Sequence, residues 1–302
     1  GDLKVGRSLP TCQRINGPWC KPGPFLLTIA CVANSIVKYT NQIDYNKINM
    51  PTIVELSSTL HRSFKIAPNT ACQFAATQQV MLVKYPEIGP AAANFPVFLT
   101  RDPNNGRLAF STLMSFASQQ NLMVKNNEWL ATYQPLSMRT YPLFLMRSVS
   151  DESKLTIGIN QENPHFSEEN GVPLFDNEGN ATQALINIQK MLEADLKNEA
   201  ETQGFVTVLE ANNLLKKVDL VVTANDNTAF TIAGIYTIDE DSLKTLDNDT
   251  ILLLNQQGYL QQIHALLFSI YQINGLIRRN NDVNNEKVVR VKLESHKDQH
   301  NR

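Results

Sequence analysis

Histidine, cysteine and clustered carboxylates carry most acid–base, nucleophilic and metal chemistry near neutral pH, and this sequence places each of them in a different setting. His165 stands three and four residues ahead of Glu168 and Glu169, a combination that could form an acid–base pair or a weak metal site. The spacing matches no metal motif, so a polar loop is the simpler reading. His61-Arg62 precedes the first strand expected in this region and could hold an anion, although a solvated loop pair explains it as well. Cys72 has no base or cation nearby in sequence to lower its thiol pKa, and reads as a small buried apolar residue rather than a nucleophile. Asp239-Glu240-Asp241 resembles an acidic metal cluster but stands just ahead of Leu243 and Leu246. There an N-cap aspartate and first-turn acids stabilise a helix start. Asp176-Asn177-Glu178-Gly179 lacks the ligand spacing and distal glutamate of a calcium loop and reads as a turn. His264, among Leu260, Leu267 and Phe268, is expected as a packed histidine.

The strongest binding candidate is the group Trp129, Tyr133, Arg139 and Tyr141. Aromatic rings with an arginine stack on sugars and peptides and are enriched where binding energy concentrates. Core packing, with Arg139 holding backbone carbonyls, competes with that reading. Phosphate-binding glycine loops, nucleophile elbows, His-Glu-x-x-His and dinucleotide fingerprints are absent from the sequence. No cofactor and no metal are therefore expected, and an enzyme becomes the second reading. It is not eliminated, because catalytic groups can be assembled from scattered residues.

The elements that must position these groups fall in the body of a 302-residue chain, long enough to bury a substantial core. A net charge of −2, with both signs spread along the chain, gives no long-range attraction for nucleic acid or anionic lipid. Three of the four cysteines (Cys12, Cys20 and Cys31) lie in the first 31 residues, leaving only Cys72 in the body, so a disulfide framework is not expected. Residues 1–49 are rich in proline and show no regular period. The apolar run Phe25–Ala33 has the length of a signal-peptide core but starts far from the terminus. The texture changes at Met50, and the expectation is that translation normally starts there, with residues 1–49 an extension or an upstream reading. No run reaches the roughly 20 apolar residues needed to span a membrane.

From Met50 onward the periodicity predicts an α+β fold, with short, mostly antiparallel strands packed on two amphipathic helices, over residues 50–285. Strands are expected at Phe64–Ala67, Val80–Val83, Phe95–Thr100, Arg107–Met114, Leu155–Ile159, Val218–Thr223 and Ala229–Ala233. Turns fall at 102–106 and 225–227, a loop at 163–180, and a short helix at 86–93. The first main helix carries Ala181, Leu185, Ile188, Leu192 and Leu196 on one face. The second runs from Tyr259 to about Arg279. The polar stretch from Asn280 is expected to fray into solvent, with 286–302 a polar tail.

Several ordered blocks in this body resemble the SapC family. They are Phe95–Leu99; Asn121–Val124 with Trp129, Tyr133–Pro135 and Met138–Pro142; Pro173–Gly179; Gly234–Glu240; and Gly258–Leu260 with His264 and Ser269. The family's usual Tyr-Pro-Phe is here Tyr141-Pro142-Leu143, and an expected aspartate is Asn160. The resemblance implies an accessory or interaction role in bacterial surface-layer biogenesis or export, with surface-layer or export proteins as partners. It implies no known reaction. The alternative is an enzyme acting on a peptide, glycan or small metabolite through His165, Glu168 or Tyr141. A cytoplasmic location is expected, with surface association as the alternative.

Overall fold

Val218, Leu220, Val222 and Ala224 are buried while the residues between them are half-buried, the period-two signature of a strand with one face on a core. The run Ala229–Ile238 folds back on it after a tight turn in which Asn227 takes a left-handed backbone, φ 67°. This hairpin is the spine of the computed structural model, which describes residues 53–295 apart from 102–105 and 152. The readings of residues 1–49, of a start at Met50, of Cys12, Cys20 and Cys31, and most of the turn at 102–106 lie outside the described residues.

In chain order the elements begin with β1 (Ile53–Glu55), β2 (Lys65–Ile66), α1 (Thr70–Ala76), β3 (Val80–Val83), α2 (Ile88–Ala92), β4 (Val97–Arg101) and β5 (Leu108–Leu113). There follow β6 (Val124–Lys125), β7 (Glu128–Trp129), α3 (Leu136–Thr140), β8 (Phe144–Arg147), β9 (Leu155–Asn160), β10 (Phe166–Ser167), β11 (Val172–Pro173) and α4 (Gln183–Ala211). The last third holds β12 (Leu215–Ala224), β13 (Ala229–Ile238), α5 (Glu240–Lys244), α6 (Asn248–Gln256), α7 (Tyr259–Ser269), α8 (Ile273–Val283) and β14 (Val288–Ser295).

Six strands form the main sheet in the order β14-β12-β13-β4-β5-β3, every neighbouring pair antiparallel. Two three-stranded antiparallel sheets, β1-β9-β8 and β10-β2-β11, and the ribbon β6-β7 complete the strands. The fold is thus α+β, with short strands in all but the β12–β13–β14 end of the main sheet. Gly171 lies between β10 and β11 at φ 130°, where a Cβ would fall 2.1 Å from the Ile66 carbonyl oxygen, so only glycine lets both strands embrace β2.

Among the described residues two hydrophobic cores result. The larger gathers Phe95, Leu99, Phe110, Phe205, Leu209, Leu220, Ile263 and Leu276 between the main sheet and the helices. The smaller gathers Leu143, Ile159, Leu174, Leu185, Ile188 and Leu192 under β1-β9-β8. Helix α4 belongs to both, its first turns to the small core and its last to the large one. Its start is capped by the Thr182 hydroxyl, which accepts the Leu185 N–H at 3.3 Å.

Four expectations are corrected. The first main helix runs to Ala211, and its buried face passes through Asp195 rather than Leu196, which is 45% exposed. The second is broken at Ile270–Gln272 by a turn of 3-10 helix. The buried Ser269 hydroxyl bonds the Leu266 carbonyl at 2.6 Å, taking the acceptor that Ile270 N–H would use in an α-helix, and Ile270 turns to Leu267 instead. The loop at 163–180 contains β10 and β11. The stretch from Asn280, expected to fray, is helical to Val283 and becomes β14 from Val288, which pairs with β12 along 288–295. Asn281 holds the return, its side chain bonding both the N–H and the C=O of Val288 at 2.8 Å.

Phe205, fully buried, meets Tyr85, Phe110 and Tyr259 at ring-centroid distances of 5.2, 5.6 and 5.0 Å. Phe205→Ala is expected to cost about 3–5 kcal/mol in urea denaturation, the range for deleting a large buried ring. A loss below about 1 kcal/mol would show that α4 does not anchor the large core.

Candidate functional site

The residues singled out in sequence are organised by one that was not. Glu87 ends a 3-10 turn opened by Tyr85-Pro86 and is 8% exposed. One carboxylate oxygen accepts the Lys84 N–H at 2.9 Å; the other accepts the Tyr133 hydroxyl at 2.5 Å and the Leu136 N–H at 2.8 Å. Leu136 N–H belongs to the first turn of α3, which has no helical acceptor of its own, so Glu87 caps that helix from 49 residues away in sequence. The Tyr133 carbonyl in turn accepts the Trp129 indole N–H at 2.8 Å, and the Trp129 ring meets Phe95 edge-on at 6.0 Å.

Burial pushes the Tyr133 hydroxyl pKa well up, and the charge and hydrogen bond of Glu87 push it further, against the opposing charge of Arg139. Tyr133 is therefore a fixed proton donor to Glu87. Arg139, in the last turn of α3, is exposed and makes no ion pair with any described residue.

Tyr141 faces a different set of neighbours. Its ring stacks on Phe74 at 4.0 Å and meets His165 edge-on at 5.4 Å, and the Asn163 amide donates to its hydroxyl at 2.9 Å. Burial raises the Tyr141 pKa, partly offset by that bond, and burial lowers the pKa of His165. Tyr133 thus bonds Glu87 and Trp129 bonds the Tyr133 carbonyl, Arg139 stands in the last turn of the helix that Glu87 caps, and Tyr141 joins His165. Glu168 does not pair with His165: its carboxylate accepts the Ser63 hydroxyl at 3.1 Å, and the Glu169 carbonyl takes the Lys65 ammonium at 2.8 Å.

Two histidine expectations are overturned. His61, read as a solvated loop residue, is 2% exposed. Its Nδ1 accepts the Ser57 N–H at 2.9 Å, and the Gln161 side-chain amide stands 2.8 Å from its Nε2. Burial lowers its pKa accordingly. His264, read as packed, is exposed: Ile263 and Leu266 take the inward face of α7, and His264 bonds the Leu260 carbonyl beside Phe268. Arg62 lies over Gly179 in the turn at Asp176, whose carboxylate accepts the Glu178 and Asn180 N–H groups. Asp239 caps α5 through the Asp241 N–H. Cys72 is partly buried, and burial and then Glu128 raise its pKa, the reverse of nucleophile activation. Among the described residues no three His, Cys, Asp or Glu side chains converge to hold a metal.

The sequence reading missed a polar cluster between the two cores. Lys84 forms an ion pair with Glu199, the Thr202 hydroxyl accepts the Tyr85 N–H at 2.9 Å, and Asp195 lies alongside. Burial raises the Asp195 pKa; Lys84 opposes the shift, and Glu87 and Glu199 add to it. The signal was present: 195, 199 and 202 continue the three- and four-residue steps of Leu185, Ile188 and Leu192.

A family model described as SapC matches residues 56–276, a span that includes every residue of the Glu87 cluster. No curated protein and no solved structure matches the chain. Among the described residues no helix is long and apolar enough to cross a membrane.

Glu87→Ala leaves three donors without their acceptor and is expected to cost about 3 kcal/mol, against about 1 kcal/mol for Tyr133→Phe, measured by urea denaturation. Equal losses would remove Glu87 from the centre of the cluster. Because the folded chain holds the Asp195 proton to higher pH than the unfolded chain does, ionising Asp195 lowers stability as pH rises above 3.8 through the folded pKa. Asp195→Asn should therefore raise the melting temperature relative to wild type by an amount that grows from pH 4 to pH 7; a constant or shrinking difference would contradict this.

Proposed function

The chain belongs to the SapC family, and from that premise we propose that it is a non-enzymatic accessory protein of bacterial surface-layer biogenesis or export. In this reading it recognises a partner protein through Arg139 and the aromatic residues behind it. The observation that carries the reading is an exposed arginine, without an ion-pair partner among the described residues, on a helix whose first turn is tied to buried Glu87. Trp129 and Tyr133 stiffen its base through their own bonds. An arginine held on a rigid support loses little freedom on binding and is a typical centre of interface energy. The small net charge of −2 fits a protein partner better than nucleic acid.

A second reading, an enzyme acting on a peptide, glycan or small metabolite, rests on the contact of His165 with Tyr141 and the bond from Asn163. Its weakness is that Glu168, the carboxylate nearest in sequence, is engaged with Ser63.

The test is affinity capture from the source bacterium with a tagged chain, followed by mass spectrometry. Arg139→Ala should reduce recovery of surface-layer subunits or export proteins by at least about tenfold while the urea midpoint stays unchanged, and His165→Ala should leave recovery intact. Full recovery with Arg139→Ala would refute the Arg139 assignment. Loss of function in His165→Ala with partners retained would move the case to the second reading.

A further inference from the structure

The smaller core opens to the surface. Between the β8–β9 strands and the first half of α4 lies a cleft of about 290 Å³, lined by Leu145 and Ile157 from the sheet and Leu185 from the helix. Its lips are Leu155 and Leu196, left 49% and 45% exposed. Two half-exposed leucines flanking an apolar opening extend the water-facing apolar surface beyond the cleft itself. One lining residue carries charge, Glu193. The Gln189 amide donates to one of its oxygens at 2.8 Å and so orients it. No described lysine or arginine forms an ion pair with Glu193; Lys197, four residues on, pairs with Glu201 instead.

We propose that this cleft binds a short apolar segment of a partner protein that carries a lysine or arginine beside its apolar residues. The apolar floor takes the side chains, the leucine lips cover the flanking backbone, and the Glu193 carboxylate meets the cation. A peptide fits the arrangement better than a small amine, because the apolar surface continues outward over both lips and a compact ligand would leave them wet. The residues are different from those around Arg139, so this inference stands or falls separately from that one. An exposed carboxylate adds only modestly to affinity; its larger effect is on which segment is accepted.

The test uses the full chain labelled on leucine and isoleucine methyl groups, observed by NMR. The probes are the acetylated, amidated tetrapeptide Leu-Leu-Phe-Lys, the same peptide ending in Glu, and octylammonium chloride. The lysine peptide is expected to give saturable shifts of the Leu145, Ile157 and Leu185 methyls and to bind about three- to tenfold tighter than the glutamate peptide. That preference should fall to near unity in Glu193→Gln and at about 0.5 M salt, and reverse in Glu193→Lys. Glu193 is exposed on α4, so neither variant threatens folding. Absence of saturable shifts at these methyls, equal affinity for the two peptides, or a preference that survives Glu193→Gln would each overturn the proposal. Tighter binding of octylammonium than of the lysine peptide would also overturn it, by assigning the cleft to a small amine.

Discussion

Positions 185, 188, 192, 195, 199, 202, 206 and 209 of α4 alternate steps of three and four residues and form one inward stripe down the helix. At about 1.5 Å per residue the stripe spans roughly 36 Å, enough to enter the small core at one end and the large core at the other. Leucine and isoleucine fill its first three places, and Val206 and Leu209 its last two. The middle three are Asp195, Glu199 and Thr202. A stripe apolar throughout would tolerate a slide of α4 by one turn, exchanging one aliphatic contact for another. With Glu199 on Lys84 and the Thr202 hydroxyl on the Tyr85 N–H, only one register satisfies the polar groups. The desolvation of Asp195, and its raised pKa, is the cost of that definition.

Fixing α4 against Lys84-Tyr85 also fixes the turn that follows, and with it Glu87. From there the chain of dependence runs outward: Glu87 holds Tyr133 and the first turn of α3, Tyr133 holds Trp129, and α3 displays Arg139. The surface around Arg139 is thus set by packing that lies beneath it, and a change at the α4 stripe would be felt at Arg139 without touching it.

Strand positions were readable where burial alternates or runs apolar between turn residues, as in Val80–Val83 and in Val218–Thr223 before Asn225. The cap at Asp239 was equally plain from local chemistry, although Thr182, which caps α4, and Asp247, which caps α6, went unread. What escaped depended on distant partners. His61 looks like a loop residue until Gln161 arrives from β9's far end, 100 residues later. Glu87 looks like a surface acid until three donors from two segments converge on it. The polar middle of α4 keeps the three- and four-residue steps, but a hydrophobic pattern by itself cannot show that an aspartate faces inward. Of Trp129, Tyr133, Arg139 and Tyr141, the first two are joined by a hydrogen bond, but the carboxylate that holds Tyr133 had no local mark.

The last strand has a further meaning. β14 covers β12 along residues 288–295, beyond the span that matches the family. Without it, β12 would present up to ten residues of unpaired backbone, rich in valine and leucine, at the open edge of the main sheet. Such an edge recruits strands from other molecules. β14 replaces it with a shorter one whose Arg290, Lys292 and Glu294 are exposed and whose register is interrupted opposite Thr223 and Ala224. The charged sequence that looked like a tail is therefore a guard rail, closing the β12 edge to strands of other molecules as well as completing the sheet.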